Sequence, residues 1–429
     1  MSKFLKNCIL IGIFLVTLYS INSWTDLPVG NTTIWWAVFI LILIAFVLAK
    51  NKFYDKVNDS NIIFIKLYLF WNIVCIVRGL FVAQDYWEWK FLTQTSIVLL
   101  LPLSIFISTN TFVVQTIVGQ WIKYVFPAFF IFYFFMHAEA VGHYLIPVSF
   151  LLLFFPFLNS KWKILAVSIV MVVLASNLGA RSNVIKFMVP IALSLLYYFK
   201  SLINIRLISL ARIILLGLPI VFLVLALTNT FNVFKMSEYI EGNYKLENKS
   251  TPNGGREDLT SDTRTFLYIE VINSALKYDY VWLGRTPARG NESPSFGPQI
   301  DKDLKTKKME RHSNEVSILN IFTWTGIVGV LLYFFVFFKA SFLAIKKSNS
   351  WFMKLLGIYI SFRWAYAWVE DFSTFNLSYL FLWITIGMCF STAFREMTDL
   401  ELKNWVRGIF DKRYRQAILK LQLAAPHKV

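Results

Sequence analysis

The chain has 429 residues, of which 57% are hydrophobic and 18% aromatic, and its mean hydropathy of +0.58 excludes an ordinary soluble domain. Apolar runs close to the roughly 20 residues that cross a bilayer recur from end to end. The net charge of +17 does not indicate nucleic-acid binding, because 22 of the 42 lysines and arginines fall in segments expected on the inner side of a membrane. The sequence therefore predicts an all-α polytopic membrane protein that is surrounded by phospholipid and binds no nucleic acid.

Twelve apolar segments are predicted as transmembrane helices, and the distribution of basic residues tests their number. Lysine- and arginine-rich connections alternate with short connections that carry almost no basic residue, as the positive-inside rule requires of successive crossings. Both termini are then expected on the inner side, and the first segment is expected to be a helix rather than a cleaved signal peptide. The predicted helices lie at 7–24, 33–49, 62–83, 92–108, 112–136, 143–158, 163–179, 183–199, 213–230, 315–338, 355–370 and 375–394.

These helices divide the chain into four regions. Residues 1–230 hold nine helices, 231–313 form one large outer loop with short helices, 314–394 hold the last three helices, and 395–429 form a basic amphipathic tail. Within the loop, residues 241–261 have little to bury, and a short helix should follow them. The tail pattern is typical of a helix on an anionic membrane surface. The apolar positions that predict the loop helix are Phe266, Ile269, Ile272 and Leu276.

Arginines in the outer loop and at membrane depth indicate an anionic ligand. Arg264 begins the loop helix, where its guanidinium and free backbone N–H groups together suit a phosphate. Arg285 and Arg289 lie four residues apart in a loop bounded by Gly and Pro, so they either bind an anion or point into solvent. Arg181 either binds the ligand or reaches for the membrane interface. Arg363 lies within a predicted helix, where it binds the anion unless it pairs with a nearby carboxylate.

A group of polar residues leads into the tenth predicted helix. His312 and Glu315 are three residues apart, and each is a candidate general base: a neutral imidazole or a partly buried carboxylate. Asn314 and Asn320 lie in the same stretch and are candidate substrate-binding residues, because polar groups on a membrane helix face protein or a water-filled cavity. No metal or cofactor is predicted, because no His, Cys or carboxylate cluster has a recognised ligand spacing.

The combination of these features resembles the bacterial O-antigen polymerase and O-antigen ligase superfamily. Its members carry an Arg near the start of a helix in the large loop, to which SDTRTFLYIEV is similar, and an upstream Arg at a helix boundary, to which ARSNVIKF is similar. They also carry a His/Asn/Glu-type motif before a helix with Gly-x-x-Gly, to which RHSNEVSILNIFTWTGIVG is similar. In this chain Ser313 separates His312 from Asn314, so either His312 or Glu315 takes the position of the base.

The resemblance implies metal-independent glycosyl transfer between polyprenyl-diphosphate-linked oligosaccharides at the periplasmic face of the bacterial inner membrane. Arg264, Arg181 and Arg289 would stabilise the diphosphate leaving group, and His312 or Glu315 would accept the proton of the attacking hydroxyl. Polymerisation of O-antigen or related repeat units is the first hypothesis. Ligation of the glycan to the lipid A core of lipopolysaccharide is the close alternative, and a flippase or other transporter is the third. A chain-length regulator and a flippase are the expected protein partners.

Overall fold

Helices make up nearly all of the chain, and the only strands in the described residues form two short hairpins. The computed structural model describes residues 3–54, 60–176, 181–228, 230–235, 238–239, 245–247, 256–258, 262–411 and 413–415. The antiparallel hairpins pair β1 (Lys245–Glu247) with β2 (Arg256–Asp258), and β3 (Asn291–Glu292) with β4 (Glu310–Arg311). The helices are α1 (Lys3–Ile21), α2 (Thr32–Phe53), α3 (Ile63–Val82), α4 (Tyr86–Leu99), α5 (Ile105–Ser108), α6 (Thr111–Gln120), α7 (Phe126–Phe132), α8 (Ala138–Tyr144), α9 (Ile146–Leu152), α10 (Ser160–Ser176), α11 (Arg181–Leu195), α12 (Ile205–Leu227), α13 (Thr265–Lys277), α14 (Gly297–Leu304), α15 (Ser317–Lys346), α16 (Trp351–Tyr366), α17 (Leu377–Phe390), α18 (Thr392–Glu396) and α19 (Asp399–Phe410).

Eight helical stretches of the described chain are long and apolar enough to cross a membrane, so the predicted all-α membrane class is confirmed. Each of the twelve predicted segments coincides with helix, but four of them correspond to shorter helices, at α8–α9, α10, α16 and α17. The number of crossings therefore stays a prediction. The eight stretches are Lys3–Trp24, Thr32–Phe53, Ile63–Val82, Tyr86–Ser108, Thr111–Phe135, Arg181–Phe199, Ile205–Leu227 and Ser317–Lys346.

The centre of the bundle is formed by α15 and α17. Helix α15 packs against α3, α16 and α17, and every residue of α17 is buried. Asparagine side chains begin several helices by accepting a backbone N–H of the first turn, as Asn31 does from Ile34 and Asn376 does from Tyr379. The residues that connect α16 to α17 meet the start of α15, where Ser317 N donates to Glu370 O at 3.2 Å. These contacts bring the end of the 231–313 loop against the helix ends.

Helix α15 is broken at Gly326, whereas a continuous helix is predicted at 315–338. Gly326 has φ +69°, a conformation that favours glycine. A Cβ there would overlap the carbonyl oxygen of Trp282. The loop backbone pairs with both sides of the break: Arg285 N donates to Thr323 O at 2.7 Å, and Ile327 N donates to Val281 O at 2.9 Å. The loop is therefore fastened into a transmembrane helix rather than lying free above the bundle.

The loop helix predicted after residue 261 is present as α13, but its predicted apolar face is not the buried one. Asp262 Oδ1 accepts the backbone N–H groups of Arg264 and Thr265 and so begins the helix. The face that packs on the rest of the loop carries Leu267, Glu270, Val271, Ser274 and Ala275, whereas Ile269 and Leu276 are exposed. Most of the stretch 241–261, predicted to be flexible, lies outside the described residues.

The tail forms an amphipathic helix, α19, whose apolar side packs on the bundle instead of on a membrane surface. Leu402, Trp405 and Ile409 are buried. Trp405 Nε1 donates to Thr111 O at 2.9 Å, and Gln115 Nε2 donates to Trp405 O at 2.7 Å. The predicted contact of these apolar residues with lipid is therefore wrong. The predicted helical pattern continues to 423, and its positions beyond 415 lie outside the described residues.

Candidate functional site

A cavity of about 350 Å³ lies where the 231–313 loop meets the ends of α1, α2 and α4. Its volume falls within the range of small-molecule sites. Polar groups from α4, the loop and the connection before α17 line part of it, including Gln94, Thr95, Ser313 and Thr374. Aromatic side chains from distant parts of the sequence supply much of the remaining wall: Tyr19, Trp36, Phe39, Phe91, Trp324 and Phe375.

His312 lines this cavity and is held in one orientation. Its ring stacks on Phe91 with centroids 3.5 Å apart. The backbone of Ala288 accepts a hydrogen bond from the imidazole, while Nε2 is buried and has no partner among the described residues. Burial lowers the pKa of His312 to about 4, so the imidazole is neutral at pH 7. Since Nε2 has no partner, Nδ1 carries the proton donated to Ala288, and Nε2 keeps the lone pair that a general base needs.

Arg311 lies beside His312 and connects the cavity to Glu315 and Arg264. Its Nε donates to Ser313 O at 3.0 Å, its Nη2 lies 3.3 Å from Glu315 Oε1, and its Nη1 is buried without a partner in the described chain. The other oxygen of Glu315 accepts a hydrogen bond from Arg264 Nη1. Arg264 and Glu315, predicted as an anion-binding residue and a candidate base, are thus paired with each other. Of Arg264, Arg311, His312 and Glu315, only Arg311 and His312 line the cavity.

Arg285 and Arg289, predicted as anion-binding or solvated residues, are tied to carboxylates inside the protein. Glu310 accepts from Arg289 through both of its oxygens and lies 3.0 Å from Arg285 Nη2. Arg289 Nε also lies 3.2 Å from Glu88, and Lys308 Nζ lies 2.6 Å from the same carboxylate. Burial raises the pKa of Glu310, but the hydrogen bond from Arg289 and the nearby arginine charges outweigh that effect and hold the pKa below its ordinary value. This network fixes the loop to the start of α4.

Asn314 and Asn320 also have partners inside the protein, so they hold the chain that carries His312. Asn320 Oδ1 accepts the backbone N–H of Asn314 at 2.6 Å, and Asn320 Nδ2 donates to Asn314 O at 2.9 Å. Asn314 Nδ2 donates to Asn291 Oδ1, and Asn320 Nδ2 lies 3.1 Å from Ser373 Oγ. Both asparagines are buried and neither lines the cavity. Their geometry supports a role in positioning the backbone next to His312, whereas the sequence predicts direct contact with the substrate.

The two remaining predicted arginines lie away from the cavity. Arg181 is exposed at the start of α11. Arg363 is buried, its guanidinium lies 4.4 Å from the ring of Phe372, and its Nη1 donates to Tyr359 Oη at 3.3 Å. Its Nε and Nη2 have no partner in the described residues, and no ion pair with Asp371 or Glu370 forms. Lys186 shares a small cavity with Arg363.

Several residues in the cavity wall or next to it were not found from the sequence. Arg311 directly precedes His312, and its position in RHSNE was the available signal. Glu310 and Glu88 can be recognised as ion-pair partners only from the structure, which places Arg285 and Arg289 beside them. The aromatic wall is assembled from five separate parts of the chain, and no local pattern marks it.

The fold and the cavity define an all-helical membrane protein with a polar, aromatic-walled site beneath its large loop. Comparisons of the chain with protein-family models, with curated proteins and with solved structures gave no match.

Proposed function

We propose that this chain is a membrane glycosyltransferase that polymerises polyprenyl-diphosphate-linked oligosaccharide repeat units. The loop side is assigned to the periplasmic face of a bacterial inner membrane, with twelve crossings and both termini in the cytoplasm. The observation that carries the proposal is that one aromatic-walled cavity is lined by a neutral imidazole, His312, and by a guanidinium with an unpartnered nitrogen, Arg311. The resemblance of the RHSNE stretch to the motif of O-antigen polymerases and ligases agrees with it.

His312 is the better candidate for the general base. Glu315 has both carboxylate oxygens held by arginines and does not line the cavity, whereas His312 lines it and its Nε2 has no partner among the described residues. In the proposed reaction the acceptor hydroxyl attacks the anomeric carbon of the donor sugar, and its proton passes to His312 Nε2. The bond between the anomeric carbon and the phosphate oxygen breaks, and the diphosphate leaves with the electron pair. General-base catalysis of this kind contributes roughly 10²–10⁴ in rate.

The arginines supply the positive charge that the leaving diphosphate requires. Arg311 lines the cavity and its buried Nη1 has no partner among the described residues, and Arg264 lies on the other side of Glu315. A fixed guanidinium stabilises the developing negative charge most strongly where water is excluded. The aromatic wall offers apolar faces for sugar rings, while Gln94, Thr95 and Thr374 offer hydrogen bonds to hydroxyl groups.

The experiment is to measure glycan length on the lipid carrier and on the cell surface in a strain that lacks the gene. Complementation with wild type, His312→Gln and the control His137→Gln is compared, since His137 is an exposed histidine whose partner is Asp26. The proposal predicts single repeat units in the deletion strain and with His312→Gln, and long chains with wild type and the control. Long chains that stay on the carrier in the deletion strain would indicate the ligase instead. Unchanged length with a loss of transbilayer movement would indicate the flippase.

A further inference from the structure

The loop helix α13 and the turn after it carry an apolar surface that no described part of the chain covers. This surface consists of Ile269, Leu276, Trp282 and Leu283, all exposed, and is called the α13 apolar surface below. Leu276 is 67% exposed and Trp282 is 66% exposed. Large apolar side chains grouped on one surface mark a site of interaction with protein or membrane.

The opposite face of α13 is fixed by polar contacts, so the helix cannot rotate to bury this surface. Glu270 accepts hydrogen bonds from Ser293 Oγ at 2.6 Å and from Ser295 N at 2.9 Å. Ser274 Oγ accepts the backbone N–H of Glu292 at 2.9 Å and the hydroxyl of Tyr280 at 2.8 Å. The α13 apolar surface therefore points away from the loop in the folded protein.

Backbone contacts with α15 fix the depth of this surface relative to the bilayer. Ile327 N donates to Val281 O, and Gly326 lies against the carbonyl of Trp282. Gly326 lies 20 residues before Lys346, the last residue of α15. At ~1.5 Å per residue these residues span ~30 Å, which equals the thickness of a typical hydrocarbon core. If the basic end of α15 lies at one interface, Trp282 lies at the other.

The neighbouring part of α3 presents a matching pattern. Arg78 Nη1 donates to Leu283 O at 2.6 Å, and Arg78 Nη2 donates to Gly284 O at 3.3 Å. Phe81, one turn further along α3, is 85% exposed. Tryptophan, arginine and exposed apolar residues at one level are the pattern of a membrane–water interface. The α13 apolar surface is therefore continuous with the lipid-facing surface of a helix that is long enough to span the membrane.

We propose that α13 and the turn through Leu283 form an interfacial element, with the α13 apolar surface in contact with the phospholipids of the leaflet on the loop side. An amphipathic helix with its apolar face at the boundary between headgroups and acyl chains has this arrangement. The large loop is then anchored to the bilayer as well as to the bundle. This inference does not depend on the proposed glycosyl transfer.

The test places a nitroxide label on single cysteines in protein reconstituted into vesicles of phosphatidylethanolamine and phosphatidylglycerol. Leu276→Cys and Trp282→Cys report the surface, and Lys302→Cys on the exposed side of α14 is the aqueous control. A Cys8→Ser background suffices because Cys75 and Cys389 are buried. The measurement is the accessibility of each label to oxygen, which partitions into lipid, and to a water-soluble nickel complex.

The proposal predicts a several-fold higher ratio of oxygen to nickel accessibility at positions 276 and 282 than at 302. A ratio at 276 and 282 equal to that at 302 would overturn it, since the surface would then face water. Low accessibility to both reagents would also overturn it, because a second copy or the chain's own residues would then cover the surface. Both substituted side chains are exposed, so neither variant removes a buried contact.

Discussion

The buried carboxylate Glu310 is predicted to hold the loop in place, and replacing it with glutamine tests this. Its side chain is 8% exposed and lies between Arg285 and Arg289. Removing one partner of a buried ion pair costs about 3–5 kcal/mol. The lower end applies here, because Arg289 keeps Glu88 and Arg285 keeps its hydrogen bond to Gly290 O. A loss of about 3 kcal/mol corresponds to roughly a hundredfold change in an opening equilibrium.

The assay is hydrogen exchange of the β3–β4 hairpin amides, followed by mass spectrometry in detergent. Glu292 is the matched control, because it faces Glu310 across the same hairpin and pairs with the exposed Lys277. An exposed pair contributes about 0–1 kcal/mol, so Glu292→Gln should change exchange by less than about tenfold. Equal exchange rates in the two glutamine variants would show that the buried Glu310 ion pairs stabilise the loop no more than the exposed Glu292 pair does.

Three further predictions concern His312, Gly326 and Trp405. Burial of His312 lowers its pKa from the ordinary 6.5 to about 4, so between these pH values the folded state binds fewer protons than the unfolded state. The free energy of unfolding should therefore fall by about 3 kcal/mol as the pH drops from above 6.5 to 4. His312→Gln should flatten that part of the stability–pH curve. Gly326→Ala forces a side chain into left-handed backbone and should cost more than about 2 kcal/mol in thermal unfolding, whereas Gly217→Ala, which meets open space, should be neutral or stabilising. Trp405→Ala should cost about 3–5 kcal/mol by leaving a cavity under α19, and Leu400→Ala, at an exposed position, should stay within about 0.5 kcal/mol.

The helical class was predictable because composition and periodic apolar runs are local properties of the sequence. All twelve predicted segments coincide with helix, and α13 follows the stretch 241–261 as predicted. The orientation of α13 was not predictable, because the same helical spacing describes a face that packs on protein and one that meets lipid. Ile269 and Leu276 follow that spacing and are exposed.

The break in α15 had only a partial signal in the sequence. Gly326 is visible as a glycine in an apolar run, but its left-handed backbone follows from pairing with Val281 and Trp282, more than 40 residues away. Such non-local pairing leaves no trace in the spacing of apolar residues.

The candidate site was predictable in its location but not in its pairings. His312 lines the cavity at the junction between loop and helix, whereas Glu315 and Arg264 pair with each other and do not line it. Arg285 and Arg289 are predicted as candidate ligand-binding groups from their position in the loop. Their partner, Glu310, lies 21 residues beyond Arg289, so no local pattern reveals the pairing. Charge alone does not tell whether an arginine faces a ligand or a carboxylate of its own protein. Distances supply that distinction.

The most direct test of the central claim is extension of a lipid-linked repeat unit by the purified protein in vesicles, with no other protein present. We expect a ladder of products with wild type and with His137→Gln. With His312→Gln it predicts a rate lower by roughly 10²–10⁴, while the protein remains monodisperse. A ladder formed at the wild-type rate by His312→Gln would contradict the assignment of the base. The absence of any extension by active, folded wild type would contradict the polymerase itself.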